Sequence, residues 1–234
     1  MSNTASKLII VLFSFMALLA CIFVVNARSD SKRNITEEIS KEALTPSGMV
    51  DESKLLKTGE LPDIVEGSPK APVTIVEYYS LTCAHCAEFY LYDLPIIRRK
   101  YIKTGKVRLI KREFPYDPRA TAAFMLARCA PRDKYDAFVD VLFNKFMSWV
   151  PAKDAMKPLE NFARLSGFTH EKFIACLANE DLMKKVNSGF QRGKNEYGIM
   201  ASPTFFINGE KYTGRLTAAE MSKIVDNLLK HTNK

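Results

Sequence analysis

Two cysteines separated by two residues, Cys83 and Cys86, are the side chains of this sequence best suited to chemistry. The apolar stretch 73–79 before them predicts a buried strand, and the residues after them predict a helix. Cysteines three positions apart on a helix share one face, so their sulfurs can form a disulfide. Cys83 would lie at the helix N-terminus, where the dipole and free backbone N–H groups favour an anion. We therefore expect Cys83 to be an exposed, acidic, attacking thiol.

The composition is that of a folded protein with a basic surface. Hydrophobic residues make up 47% of the 234 residues, which is enough for a core. The formal net charge is +8, but the 34 Lys and Arg residues are spread along the whole chain. Because no arginine-rich block or stacking aromatic motif accompanies them, we expect no nucleic-acid binding.

The N-terminal residues 1–27 predict export from the cytosol. Lys7 precedes an apolar run over residues 8–25, and the small residue Ala27 then offers a signal-peptidase cleavage site. Two alternatives stay open, since the run is long enough for a retained membrane anchor and Leu18–Cys21 resembles a lipoprotein box. All three place the domain outside the cytosol, where disulfides persist.

Residues 28–60 are polar and charged, and they predict a linker with little fixed structure, apart from a candidate short helix at 37–44. Residues 61–234 carry alternating strand and helix signals. Strands are predicted at 64–66, 73–79, 107–114, 204–207 and 211–213, and helices after Cys83 (kinked at Pro95), at 120–130, 134–146, 159–165, 171–177 and 181–197, and after Thr217.

Turn and cap signals support this order. Asn208-Gly209 predicts a tight hairpin, because both residue types accept positive φ. Thr217 and Glu220 form a capping box for the last helix. The order is therefore β-α-β, a helical block at about 117–198, then a β-hairpin and a helix, which predicts a mixed sheet with helices on both sides.

With these motifs the sequence resembles the thioredoxin superfamily and, within it, the DsbA-like periplasmic thiol–disulfide oxidoreductases. The resemblance covers about residues 61–234. It rests on Val76–Ser80 leading into Cys83-Ala84-His85-Cys86, on the helical block, and on Ala201–Gly209 with its Ser202-Pro203 pair. It implies an α/β thioredoxin fold with a helical insertion between its β-α-β and β-β-α halves.

The resemblance implies a role for each residue of the motif. Cys83 exchanges with the substrate, and the more buried Cys86 resolves the mixed disulfide. His85 would stabilise the Cys83 thiolate by a hydrogen bond or by charge, which makes the disulfide a stronger oxidant, as in DsbA itself. The alternative is an exposed His85 with no role. Ala84 stands where the best-known members have proline, so the potential stays open.

Two further site residues follow from the family pattern. Pro203 is expected to form a cis peptide bond with Ser202, beside the sulfurs, leaving the Ser202 backbone able to pair with an extended substrate. The alternative is an ordinary trans proline. The Ser202 side chain, where the family commonly has Val or Thr, is expected near the sulfurs, where it would affect the redox potential. Glu77, an acid within an apolar strand, would relay a proton to or from Cys86, with Lys111 as its candidate partner. Alternatively, Glu77 reaches solvent at a strand end.

Cys129 and Cys176 lie on apolar faces of different predicted helices in the insertion. A structural disulfide between them would close a loop that the chain-entropy model values at about 4 kcal/mol. Two buried free thiols are the alternative. Four ligands at zinc spacing are not apparent, so no metal is expected.

The sequence thus predicts an exported, periplasmic, monomeric thiol oxidase that needs no cofactor beyond its Cys83–Cys86 disulfide. Its expected partners are reduced, unfolded secreted proteins and a DsbB-like membrane protein that reoxidises it. A disulfide reductase or isomerase of the same fold is the first alternative. A Cu(I) chaperone that uses Cys83, Cys86 and His85 is the second.

Overall fold

The computed structural model describes residues 44–232, and within them the strands form one six-stranded sheet in the order β1-β6-β5-β3-β4-β2. The predicted signal or anchor, the lipoprotein box at Cys21 and nearly all of the candidate helix at 37–44 lie outside this part. None of the helices in the described residues is long and apolar enough to cross a membrane. The strands are β1 Gly48–Met49, β2 Ile64–Glu66, β3 Val73–Tyr79, β4 Val107–Glu113, β5 Thr204–Ile207 and β6 Glu210–Thr213.

Strand β3 lies in the middle of the sheet. It runs parallel to β4, with Glu77 opposite Lys111, and antiparallel to β5, with Glu77 opposite Phe205. Both faces of β3 are covered, which explains its continuous apolar pattern. The predicted β-α-β unit and the predicted C-terminal hairpin are therefore both confirmed.

The helix that follows Cys83 alternates between α and π geometry. It consists of α2 Ala84–Glu88, a π segment Phe89–Asp93, α3 Leu94–Ile97 and a second π segment Arg98–Ile102. Pro95, where the sequence predicts a break, lies in α3 between the two wide turns. Because proline cannot donate to the carbonyl four residues earlier, the preceding π turn lets the chain continue as a helix instead of breaking.

The remaining helices form the predicted helical insertion, with bounds shifted by a few residues, and the predicted C-terminal helix. They are α4 Pro118–Cys129, a 3-10 turn Arg132–Lys134, α5 Tyr135–Asn144, α6 Phe146–Trp149, α7 Met156–Leu165, α8 His170–Leu177, α9 Glu180–Tyr197 and α10 Ala218–Thr232. The capping box of α10 is formed, with Thr217 N donating to Glu220 Oε2 at 2.8 Å and Glu220 N donating to Thr217 Oγ1 at 3.3 Å. Asp93 lies in the helix that follows Cys83, the active-site helix, and accepts the Ala218 N–H at 2.8 Å, which connects α10 to that helix.

The prediction of an unstructured linker over 28–60 is wrong for its last part. Gly48 and Met49 form β1, which pairs antiparallel with β6. The short helix α1 (Glu52–Leu55) follows, capped by Asp51, and Leu55 is buried in the core. A two-residue strand and one helical turn are too short to produce a recognisable hydrophobic period, which is why the sequence pattern does not show them.

Helices cover both faces of the sheet. On one face, Val76, Tyr78 and Phe206 pack with Tyr197 of α9 and with Leu55. On the other face, aromatic rings join the sheet to the active-site helix. Phe89 contacts Phe205 with ring centroids 4.8 Å apart, and Tyr79 stacks on Tyr90.

A disulfide joins Cys129, at the end of α4, to Cys176 in α8, with Cα atoms 6.2 Å apart. The predicted bridge is therefore confirmed, and the alternative of two free thiols is wrong. It joins two helices of the insertion, whereas Cys83 and Cys86 remain free thiols.

We expect the double substitution Cys129→Ala/Cys176→Ala to lower the free energy of unfolding by up to about 4 kcal/mol, because the unfolded chain regains a large loop. Denaturant titration of both proteins measures the difference, and thiol exchange at Cys83 should persist. Equal midpoints would contradict a stabilising role for this bridge.

Candidate active site

The two free cysteines occupy different environments at the N-terminus of α2. Cys83 is the N-cap residue and Cys86 lies one turn inside the helix. Cys86 is wholly buried, and Cys83 is only 8% exposed, which is less than the sequence analysis expected. The Cys83 sulfur is covered by the loop before β5, since its thiol donates to the Ser202 carbonyl at 3.1 Å.

Several donors converge on the Cys83 sulfur. The Cys86 thiol, the Ser202 hydroxyl and the backbone N–H groups of Cys86 and His85 lower the pKa of Cys83 to about 5, although burial opposes them. At neutral pH Cys83 is therefore mainly a thiolate. This agrees with the expectation of an acidic thiol at a helix N-terminus.

Cys86 has the opposite tendency. Burial is the main cause that raises the pKa of Cys86 well above its ordinary value, and the Cys83 and Glu77 charges raise it further. A Cys86 thiolate released by a broken disulfide would therefore need a proton at once. The two sulfurs are thus chemically distinct, as an attacking and a resolving thiol require.

The Ser202-Pro203 peptide bond is cis, as the family pattern implies, so the trans alternative is wrong. The Ser202 hydroxyl is buried and has no hydrogen-bond partner among the described residues while Cys83 is a thiol. It is therefore available to the Cys83 thiolate, and it contributes to the lowered pKa of Cys83.

The predicted role of His85 in stabilising the Cys83 thiolate stays a prediction. Its side chain is 71% exposed, and Nδ1 lies 3.5 Å from Glu88 Oε2, one turn along the helix. The backbone N–H of His85, and not a hydrogen bond from its imidazole, is among the groups that stabilise Cys83.

Glu77 is fully buried, so the alternative that it reaches solvent is wrong. Neither carboxylate oxygen has a hydrogen-bond partner in the described part of the chain. Burial is the main cause that raises the pKa of Glu77 to about 8, and it outweighs the opposing charge of Lys111. At neutral pH this side chain is therefore mainly protonated and able to donate a proton.

Lys111 does not bond to Glu77, although the two residues are opposite each other in the parallel register. Its ammonium donates to Glu66 Oε1 at 2.5 Å and to Asp136 Oδ1. The prediction that Lys111 bonds directly to Glu77 is therefore wrong. Lys111 affects Glu77 only through its charge, which lowers the pKa of Glu77.

A groove of about 430 Å³ runs beside Cys83. Most of the residues that line it were not predicted from the sequence. Tyr116 follows β4 and is 50% exposed, Met200 precedes the cis-proline loop and is 81% exposed, and Phe190 comes from α9. For Tyr116 and Met200, a large apolar side chain in a connecting loop is the signal that could have indicated them, whereas Phe190 lies on a helix and gives no such signal. Within the described residues, no group of three or more His, Cys, Asp or Glu side chains is placed to hold a metal ion.

Comparison with known proteins agrees with this fold. The thioredoxin family profile matches residues 60–227. The crystal structure of Wolbachia pipientis alpha-DsbA1 superimposes with a TM-score of 0.68 and 34% identity, over 76% of this chain and 96% of that one. BdbD from Bacillus subtilis superimposes with a TM-score of 0.65 at 20% identity, over 80% and 98% of the two chains, which supports the fold.

A Rickettsia felis protein with the provisional name protein-disulfide oxidoreductase is 29% identical over 168 residues, which are 71% of this chain and 60% of that protein. The match thus spans less than two thirds of the length of that relative. The fold and the paired cysteines define a thioredoxin-like protein. The chain belongs to the DsbA-like group of the thioredoxin superfamily.

We expect Glu77→Gln to stabilise the reduced protein in a pH-dependent way. The folded state keeps the Glu77 proton up to about pH 8, whereas the unfolded chain releases it near 4.5, so wild-type stability falls as pH rises through this window. The advantage of the variant should grow by about 1.4 kcal/mol per pH unit there and vanish at lower pH. Denaturant titrations at several pH values measure it, and parallel stability curves would contradict a raised Glu77 pKa.

We expect Ser202→Ala to raise the pKa of Cys83 by about one unit, because a hydrogen bond to a charged group contributes about 1.5–3 kcal/mol. Thiolate absorbance near 240 nm measures this titration. Ser188→Ala in α9, whose hydroxyl bonds to the Lys185 carbonyl, is the control. An unchanged Cys83 titration in the Ser202 variant would exclude the hydroxyl as a donor.

Proposed function

We propose that this protein is an exported thiol oxidase that donates its Cys83–Cys86 disulfide to reduced, unfolded proteins in the periplasm. The observation that carries the proposal is the contrast between the two sulfurs. Cys83 has a lowered pKa and Cys86 a raised one, within a single helical turn. A stabilised Cys83 thiolate favours the reduced form of the pair, so the oxidised form tends to give up its disulfide.

The first step forms a mixed disulfide. A substrate thiolate attacks the Cys83 sulfur, the Cys83–Cys86 bond breaks, and its electron pair remains on Cys86. Cys86 is buried where a thiolate is strongly disfavoured, and protonated Glu77 supplies the proton that it needs.

The second step releases the oxidised substrate. A second substrate thiolate attacks the substrate sulfur of the mixed disulfide, and Cys83 leaves as a stabilised thiolate. The substrate has then lost two electrons and two protons. Of the two protons, one is now on Cys86, to which Glu77 passed it, and the other has gone to the solvent.

Reoxidation reverses this flow and requires a disulfide partner, for which we propose a DsbB-like membrane protein. The Cys83 thiolate attacks the partner's disulfide, and Cys86 then attacks Cys83 while its proton passes to the Glu77 carboxylate. The two electrons leave on the partner. The same pair of side chains therefore serves both directions, because the Glu77 carboxyl titrates near neutral pH.

Substrate binding is assigned to the groove and to the loop before β5. Tyr116, Phe190 and Met200 offer apolar surface beside Cys83 without a deep, selective pocket. This suits extended polypeptides of varied sequence, because methionine and aromatic side chains adapt to different partners. The Ser202 carbonyl, which now accepts the Cys83 thiol, would pair with the backbone of the bound segment.

The alternatives have less support. A reductase needs a disulfide that is stable when oxidised, whereas the donors around Cys83 stabilise its thiolate. A Cu(I) chaperone would gain from an imidazole near the sulfurs, but His85 is directed toward Glu88.

We expect Cys83→Ala to abolish oxidation of a reduced, unfolded test protein, because the attacked sulfur is lost. Cys86→Ala should also lose this oxidation, because its Cys83–Cys86 disulfide cannot form. Given a disulfide-containing test protein instead, its Cys83 thiolate should attack that disulfide and accumulate a mixed disulfide, visible on a non-reducing gel, because the resolving thiol is missing. Cys129→Ala/Cys176→Ala is the control and should keep oxidase activity. Unchanged oxidation by Cys83→Ala would refute the proposal.

A further inference from the structure

The Glu77 carboxyl and the Lys111 ammonium lie on neighbouring strands at opposite positions, yet they are not paired. The two residues are opposite each other in the β3–β4 register, which places their side chains on the same face. Both side chains are fully buried. In a dry interior such a pair would normally form an ion pair, since each charge is costly alone.

The ammonium is instead held by two other acids. Glu66 of β2 accepts from Lys111 Nζ at 2.5 Å, and Asp136 of α5 accepts from the same atom. Glu66 is itself fixed by Arg98, whose Nε and Nη2 donate to its two oxygens at 2.7 and 2.8 Å. Glu66 is therefore held in place from the helix that follows Cys83.

We propose that Glu66 and Asp136 are positioning residues that hold the Lys111 ammonium away from Glu77, which keeps Glu77 able to exchange a proton with Cys86. The inference rests on the proposed proton transfer between Glu77 and Cys86. It adds that α5 of the helical insertion takes part in the chemistry of the thioredoxin half.

Electrostatics gives the reason. An opposite charge in direct contact lowers a carboxyl pKa by about one to three units, which would leave Glu77 ionised and without a proton to give. With Glu66 and Asp136 bonded to it, the Lys111 ammonium stays charged, but two carboxylates offset that charge. Besides Lys111, the titratable groups around Glu77 are Glu66, Arg98 and the sulfurs of Cys83 and Cys86. Asp136 and Asp140 of α5 face Lys111, and so does Tyr90, whose hydroxyl accepts from Lys111 Nζ at 3.4 Å.

The test uses Asp136→Asn, because this side chain is 38% exposed and its loss is the least disruptive to folding. The Glu77 carboxyl is titrated by NMR in the reduced protein labelled with ¹³C-glutamate. We expect its titration midpoint to fall by at least about one unit as Lys111 turns toward Glu77. As pH rises, the rate at which the oxidised variant forms the mixed disulfide should begin to fall at a lower pH than in the wild-type protein, by about the same shift.

Two comparisons separate positioning from simple loss of a charge. Asp140→Asn removes the same charge one turn further along α5, where no ion pair to Lys111 is formed within residues 44–232, and should shift the midpoint much less. In a Lys111→Met background, Asp136→Asn should have almost no effect, because its route to Glu77 is gone. Glu66→Gln serves as a second variant if Asp136→Asn does not fold.

An unchanged or raised Glu77 midpoint in Asp136→Asn would overturn the inference. An equal fall in the Lys111→Met background would also overturn it, since the effect would then be a direct field. The titration requires no turnover. A protein that shows the expected shift but does not oxidise substrates would refute the proposed function and leave the positioning role intact.

Discussion

The constraint on which the rest of the structure depends is that two sulfurs in one helical turn have opposite pKa shifts. Cys83 sits where backbone N–H groups and the Ser202 hydroxyl favour an anion, and Cys86 sits where burial forbids one. A disulfide between such sulfurs breaks unsymmetrically, because one of them leaves as a stable thiolate and the other requires a proton. The remaining elements maintain this asymmetry.

Each half of the fold supplies part of it. The central strand β3 delivers Cys83 to a helix N-terminus and places Glu77 in a fully buried position. The second half contributes the cis-proline loop that covers Cys83. The helical insertion contributes Asp136, which binds Lys111, and Phe190, which lines the groove beside Cys83. The insertion is therefore joined to the catalytic half through both charge and apolar surface.

Local patterns were sufficient to predict much of this from the sequence. The strand before Cys83 and the hairpin at Asn208 follow from local residue types, and the cis bond at Pro203 is implied by the family resemblance. The partner of Lys111 and the direction of the His85 imidazole could not be predicted, because side chains choose among acceptors that only the tertiary fold brings together. β1 escaped prediction because two residues carry no period.

The reduction potential of the Cys83–Cys86 pair tests the central claim most directly. It is measured by equilibration with glutathione buffers, in the Cys129→Ala/Cys176→Ala variant so that one disulfide titrates. If the Cys83 thiolate is stabilised as described, the potential lies well above the roughly −270 mV of thioredoxin, toward the roughly −120 mV of DsbA. A value near that of thioredoxin would contradict the account, because electrons would then flow toward the substrate and not from it.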